Sequence, residues 1–440
     1  MRRAGRRTGT AHPRDRRRRL TVARVVVVGG GFAGLSAAAR LAKLRHDVTL
    51  LEADERLGGQ LRGVDREGAT WQVHRESVTL PGVFRDLFRK SGRPLERELD
   101  LTKIAGRRHI FADCTVLDLP MGMRGDQHDA LLETFGRDDW SSWVDPLNEP
   151  WDVVRRAALD QVLVGPTAFD AAARSILRPR RSLARVARKG LRDDRLRRLV
   201  LDPLRLDGHD PRAVPGLVAM RHYVERNFGL WVFDGGRPAL ADTLTQRLAQ
   251  RKVSVHTGVV ARSVLCRGGT VCEVVADGDS WPADVVVWCA PHRPEGLVAP
   301  AGTPVVPSSR TYVTLGADAP GMPDELLVHA ESPLRMWRSS PGQWTIEHRA
   351  AGDPLVALAG CGLDLRAHVV ARWDHTPSEL AALGHWGWVW AGWKSAFDVP
   401  GVAPVGGLYF AGAHAHPGGS LEAIGMATAA IAADVGRAPR

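Results

Sequence analysis

The chain has 440 residues, 44% of them hydrophobic and 25% charged, enough for two or three domains around a sizeable core. No apolar run approaches the roughly 18 residues of a membrane-spanning helix, and five cysteines stand apart without a C-x-x-C, which argues against a redox dithiol, a zinc or other metal site and a disulfide scaffold, and for a reducing cytoplasm. The net charge of +11 is concentrated at the start, where residues 1–24 hold ten arginines against one aspartate, so the remainder is near neutral. Residues 1–21 are expected to be a disordered basic arm, with no apolar stretch to make a secretory signal. Such an arm either has no role or leans on anionic lipid, as at the inner face of the membrane, or on nucleic acid without sequence specificity.

The body opens with RVVVVGGGFAG, from Arg24 to Gly34. Four consecutive valines predict a strand over Val25 to Val28 buried on both faces, as in a parallel sheet. Gly29, Gly31 and Gly34 then fit G-x-G-x-x-G: the first permits a tight turn, the second lets backbone approach a diphosphate, and the third lets the next helix pack closely on the strand. That helix is expected over Leu35 to Leu44, and the amides at its entrance, at Phe32 and Ala33, are where a diphosphate is best held. A strand over Val48 to Leu51 delivers Glu52 about 20 residues beyond the glycines, where a carboxylate accepts from both hydroxyls of an adenosine ribose. Arg45-His46 is a local misfit, since glycine more easily takes the left-handed conformation at a helix exit.

After Glu52 comes ADERLGGQ. Arg56 offers a fork of donors to phosphate, and Gly58 and Gly59, followed by Gln60, let a long diphosphate-bearing chain run against backbone. Glu52, Arg56, Gly58 and Gly59 resemble the E-x-x-x-R-x-G-G pattern of the flavoprotein superfamily that includes amine oxidases, protoporphyrinogen oxidase and phytoene desaturases, which implies FAD as the cofactor. Gly68 to Leu101 is similar to a phytoene desaturase block at Pro81, Leu87, Phe88 and Gly92, and departs from it at Gln72, His74 and Arg75, which replace an acid and a Gly-Pro. The resemblance would set His74 and Arg75 beside the isoalloxazine in a catalytic role. Arg75 would be a fixed charge that stabilises reduced flavin or anchors a carboxylate or phosphate, and His74 an imidazole taking a proton near pH 7. The other reading turns both to solvent or to a neighbouring helix.

Between about 105 and 229 the chain reads as helical and Arg-rich, with amphipathic segments at Trp151 to Val164 and Ser182 to Leu201 that would cap a cavity, lie on a membrane or form a solvated subdomain. At Gly229 the flavoprotein pattern resumes, with Gly235-Gly236 ahead of a helix. Val253 to Val255, Val259 to Leu265 and Val271 to Ala276 alternate like strands of a small antiparallel sheet; in the resembling family, backbone near Val259 touches adenine. Asp284 to Pro291 is similar to A-D-x-V-V-x-A-x-P, which would return Ala290 to the diphosphate. Trp386, Trp388 and Trp390 project from one face of an extended segment, to line an apolar tunnel or to pack a core. At the C-terminus, a strand (Leu408 to Ala411) and a turn at Gly412-Ala413 lead through HPGG, ending at Gly419, to a helix opening near Ser420. The resemblance places these glycines and the amide of Leu421 against the flavin. HPGG, with His414 in place of an acid, is closer to phytoene desaturases than to amine oxidases.

The expected fold is therefore α/β. A Rossmann-like FAD-binding domain is assembled from 22–104, 230–300 and 398–440, with a parallel sheet and an antiparallel crossover sheet, and an α+β substrate domain is inserted as 105–229 and 301–397. No second G-x-G-x-x-G follows a strand, so electrons would pass to oxygen or a quinone rather than through a nicotinamide domain. The expected function is an FAD-dependent oxidoreductase that dehydrogenates an apolar isoprenoid or polyene by hydride transfer to flavin N5. A flavin amine oxidase and a flavin-binding protein without turnover are the alternatives.

Overall fold

A computed structural model describes residues 22–296, 302–389, 397, 405–415 and 419–439. The basic arm, Trp390 and residues 416–418 of the HPGG run lie outside these. The valine strand, Arg24–Val28, is central: it pairs in parallel with Asp47–Leu51 on one side and Val285–Trp288 on the other. Leu408–Phe410 and Ser254–His256 extend the sheet to five parallel strands. Val25 and Val27 pack with Leu35, Leu41, Ile424 and Ile431 of the helical layer, whereas Val26 and Val28 pack with Val264, Val274 and Trp288 on the opposite face. Both pleat faces are dry, and each buried valine contributes roughly 1.5–3 kcal/mol. That is why a continuous apolar run, not an alternating one, marks this strand.

The helix after the glycine turn is Phe32–Lys43. Its exit is the left-handed turn that the sequence made awkward, with Arg45 at φ 72°. His46 compensates by fastening the turn: its Nδ1 accepts from Ala23 N–H at 3.3 Å and its Nε2 meets Gly436 O at 2.9 Å. One expectation is corrected. Ser254–His256 does not join the antiparallel sheet but pairs in parallel with Thr49 to Leu51, because the helix Gly236–Gln250 returns the chain beside that strand as a crossover. The antiparallel sheet consists of Ala261–Arg267, Thr270–Ala276 and Asp279–Pro282.

A second, seven-stranded sheet runs in the order Val369–His375, Ser309–Leu315, Gln343–His348, Leu334–Ser340, Glu325–His329, Gly106–Phe111 and Val116–Pro120. The last two correct the reading of 105–229 as helical throughout. Gly106–Phe111 alternates, putting Ile110 on one face and Arg107 and His109 on the other, so its charges masked a strand. One face of this sheet is apolar, with Val313, Leu326, Val328, Met336 and Ile346 under the helix Pro354–Gly360. Its other face carries Arg107, Arg310, Glu325, Arg335 and Glu347, all buried. The expected helix from Ser182 to Leu201 is two helices, Leu183–Gly190 and Asp194–Leu206, because Ser182 and Asp193 each cap a fresh N-terminus through their side chains.

Candidate functional site

The carboxyl ends of three adjacent parallel strands converge on one crevice, the place where open α/β sheets bind ligands. Gly29 has φ 98°, and a Cβ there would lie 2.9 Å from Ala290 N. Gly412, at φ 119°, faces Cys289 O and the His414 ring. At Gly34 a Cβ would stand 1.8 Å from Gly29 O, so the helix sits directly on the turn. Gly31 differs from these: nothing lies within 4 Å of its missing Cβ. No side chain caps the helix, and Leu35 N–H donates back to Gly31 O. The amides of Phe32, Ala33 and Gly34 are thus left for an anion, in front of an open backbone face.

Gly58 N–H donates to Gly30 O at 2.9 Å, and a Cβ on Gly59 would lie 3.2 Å from Gly31 Cα. The second glycine patch is therefore stacked on the first, and the two make one continuous backbone surface. Arg62, which fits no motif in the sequence, holds this turn: its guanidinium lies under Gly58, donates to Leu57 O and faces Asp242. Arg56 instead points outward and is 3.8 Å from Asp65. Gln60 donates to the carbonyls of Gly384 and Trp386 at 3.1 and 3.0 Å, tying the patch to the tryptophan-bearing strand Gly387–Val389.

Glu52 receives the Gly30 N–H on one carboxylate oxygen and the Asp54 N–H, at 2.9 Å, on the other. Its own carbonyl accepts from Val259 N–H at 2.8 Å, so two residues 207 positions apart in sequence meet at the edge of the crevice. At the other end, a Cβ on Gly419 would touch the Ala413 methyl, and Ser420 caps the helix Leu421–Val435, which places Leu421 at its first position. His414 is buried, with its pKa lowered to about 4 by burial and by nearby His292 and Arg293. Its Nε2 has no hydrogen-bond partner among the described residues. A glycine-lined cradle, free helix-entrance amides, a carboxylate at the far rim and an orphaned imidazole nitrogen fit a bound dinucleotide such as FAD. Replacing Glu52 by alanine removes a charged acceptor, a loss of about 1.5–3 kcal/mol. Fluorescence titration of the apoprotein should show FAD binding at least tenfold more weakly; equal affinity would discard this role for Glu52.

His74 and Arg75 lie on the polar face of the seven-stranded sheet, to which their segment is strapped. Gln72 O accepts from Trp337 Nε1 and Thr345 Oγ1, and Val73 O from Arg310 Nε, all between 2.8 and 3.2 Å. His74 Nε2 meets His385 Nδ1 at 3.0 Å. Burial first, then His385, Arg237 and Arg310, hold His74 well below the usual imidazole range, which corrects the expectation that it takes a proton near pH 7. The charge of Arg75 is also answered: its guanidinium donates to Ser77 Oγ at 3.1 Å and lies 3.7 Å from Glu325. Sequence reasoning missed the neighbour Glu76, which lines a cleft of about 460 Å³ with Gln72, Ser77, Gly236 and Trp337. Burial pushes its carboxyl up to about 7 despite the Arg237 N–H at 2.8 Å. No local signal separates this acid from a surface glutamate; only the fold buries it.

The family model described as flavin containing amine oxidoreductase matches residues 32–339. Hydroxyneurosporene desaturase of Cereibacter sphaeroides is 29% identical over 349 residues, 77% of this chain and 66% of that protein. The 4,4'-diapolycopene oxygenase of a Methylomonas species is 26% identical over 278 residues, 60% of this chain and 55% of that protein. The chain thus aligns with between about half and two thirds of the length of these relatives. Among solved structures, cyclohexylamine oxidase from Brevibacterium oxydans superposes with a TM-score of 0.63 at 16% identity, covering 94% of this chain and 99% of that one, a likeness of fold.

Proposed function

The chain belongs to the flavin containing amine oxidoreductase family, and from that premise we propose that it is an FAD-dependent oxidoreductase that dehydrogenates an apolar, polyene or isoprenoid substrate. The cofactor-binding unit would be drawn from 22–104, 230–300 and 398–440, and the substrate unit from 105–229 and 301–397. When bound, FAD supplies acceptance of a hydride equivalent at N5. The chain's own residues bind and orient: the amides of Phe32 to Gly34 and the backbone of Gly31, Gly59 and Gly412 take the diphosphate-bearing chain, and Glu52 and Val259 the adenosine. Oxygen or a quinone would be the terminal acceptor.

The likeness to carotenoid-type relatives carries the substrate class, and an apolar cluster that runs to the first turns of the C-terminal helix is compatible with it. Leu163, Phe169, Leu177, Leu217 and Phe397 pack together and meet Ala423 and Met426, one turn beyond the capped N-terminus at Ser420. Supporting it, the relatives are named for desaturation and oxygenation of carotenoid-type polyenes. The buried charges of the seven-stranded sheet answer one another, Glu325 with Arg107 and Arg75, and Glu347 with Arg310 and Arg335. Anaerobic mixing tests the reading. Detergent-dispersed polyene or isoprenoid lipid is expected to bleach the flavin absorbance, and a primary amine is not. Bleaching by the amine alone would replace this reading with an amine oxidase, and bleaching by neither would favour a flavin-binding protein without turnover.

A further inference from the structure

Four carboxyl groups line the cleft of about 460 Å³ beside Trp337, and three of them are answered by arginines. Asp324 lies 3.2 Å from Arg338, Asp242 3.5 Å from Arg62, and Glu325 3.0 Å from Arg107. Glu76 is different: among the described residues it forms no ion pair. Its Oε2 accepts the Arg237 N–H at 2.8 Å, whereas its Oε1 is buried and has no hydrogen-bond partner among those residues. A buried polar atom is costly to leave unpaired, so an orphan of this kind calls for a partner from outside the chain. Gln72 stands beside it. A Cβ on Gly236 would lie 2.7 Å from both Gln72 Nε2 and Glu76 Oε2, so the two side chains converge on that glycine. The backbone of Gln72 is engaged by the sheet, its N–H donating to Ser339 Oγ at 3.3 Å and its carbonyl accepting from Trp337 and Thr345. Its side-chain amide makes no hydrogen bond among the described residues and is left to the cleft.

Much of the rest of the lining is apolar, from Ile104, Val232, Pro238, Ala239 and Trp337. Apolar walls with a few convergent polar groups, in a volume of about 300–1,000 Å³, are the usual form of a small-molecule site. The electrostatics select the guest. Three carboxylates are neutralised by their arginines, and burial keeps the proton on Glu76 up to about pH 7 although the nearby Arg237 charge opposes it, so the cleft favours a neutral molecule over a cation. A hydroxyl suits the polar end, because its single oxygen both donates and accepts and can therefore meet a carboxyl and an amide together. The cleft shares no residue with the cradle formed by Gly29, Gly31, Gly59 and Gly412, and touches it only indirectly, where Asp242 faces the Arg62 that holds the Gly58 turn.

We propose that this cleft is a binding site for a neutral amphiphile, an apolar chain or ring ending in a hydroxyl, which the Glu76 carboxyl and the Gln72 amide hold by hydrogen bonds. The site stands on the cleft alone and goes beyond the polyene reading, which flavin bleaching tests separately. The experiment uses the full-length holoprotein at about pH 6, where Glu76 carries its proton, and three probes of one chain length, 1-octanol, octane and octylammonium, followed by ligand-observed NMR. The alcohol is expected to bind saturably, and at least about fivefold more tightly than either of the others, the worth of one ordinary hydrogen bond. Glu76→Leu should weaken it by at least about the same factor, with unchanged flavin content. Because that change also removes the acceptor for the Arg237 N–H, it is paired with Ala239→Leu, which fills the cleft from a half-buried position and leaves Glu76 in place. Ala239→Leu should exclude the alcohol and keep the unfolding midpoint, and it decides alone if Glu76→Leu does not fold. Wild-type affinity for the alcohol in either folded variant would place the guest elsewhere and overturn the proposal. So would equal binding of octane, which would mean no polar recognition, or tighter binding of octylammonium, which would make the cleft a cation site.

Discussion

Replacing Glu325 by alanine is expected to lower the unfolding free energy by about 3–5 kcal/mol, the cost of leaving buried cations without their counter-charge. Glu325 is 3% exposed, 3.0 Å from Arg107 and 3.7 Å from Arg75, and accepts from Ser77 Oγ at 2.5 Å. Burial by itself would raise its pKa, but Arg107, Arg75 and Ser77 hold it at about 2. The sign follows from linkage. Between the ordinary value of 4.5 and about 2 the unfolded chain binds the proton and the folded chain does not. This contribution to stability is therefore complete above pH 4.5 and is lost as pH falls through 2. Denaturant titrations at several pH values should show the deficit at neutral pH shrinking in acid. The double variant R107L/E325L should recover part of the loss, since an apolar pair of similar volume avoids the desolvation cost. A single variant within about 0.5 kcal/mol of wild type would mean that the pair is not structural.

Gly34→Val should abolish FAD binding and lower the unfolding midpoint, because even its first carbon would sit 1.8 Å from a backbone oxygen that cannot move without breaking the turn. A clash of this kind belongs among the large effects, of about 4–5 kcal/mol or more. Gly31→Ala is the contrasting case. Its φ is −71° and its Cβ meets no protein atom, so the apoprotein should keep its stability while its methyl occupies the space where a diphosphate would lie. Flavin absorbance per chain, read beside the thermal transition, separates the two. If Gly31→Ala binds FAD as wild type does, the open face at Gly31 is not the diphosphate site.

Much of the crevice was legible because the signals are local. Four valines declare a strand dry on both faces. A glycine that must sit on a carbonyl, as Gly34 does, tolerates no other residue, and Glu52 follows at a distance set by one helix and one strand. Ser420 at the mouth of the last helix is equally readable, since its side chain accepts from Ala423 N–H within the same turn. Arg56 has the right spacing, yet its side chain points outward.

The sequence by itself determined the first strand, the glycine turn after it and the flavoprotein family, because each depends on contacts between residues within one strand-turn-helix unit or on motifs of fixed spacing. Tertiary structure alone decided how charge is disposed. His74 and Arg75 look like free functional groups in the chain, but His385 and Glu325, 311 and 250 positions away, neutralise or desolvate them. Glu76, which looks like any glutamate, is pushed to about 7 by walls contributed from distant strands. The physical reason is that a protonation state depends on the dielectric and the charges within a few ångströms in space. Residues that far apart along the chain become neighbours only when both sheets are assembled.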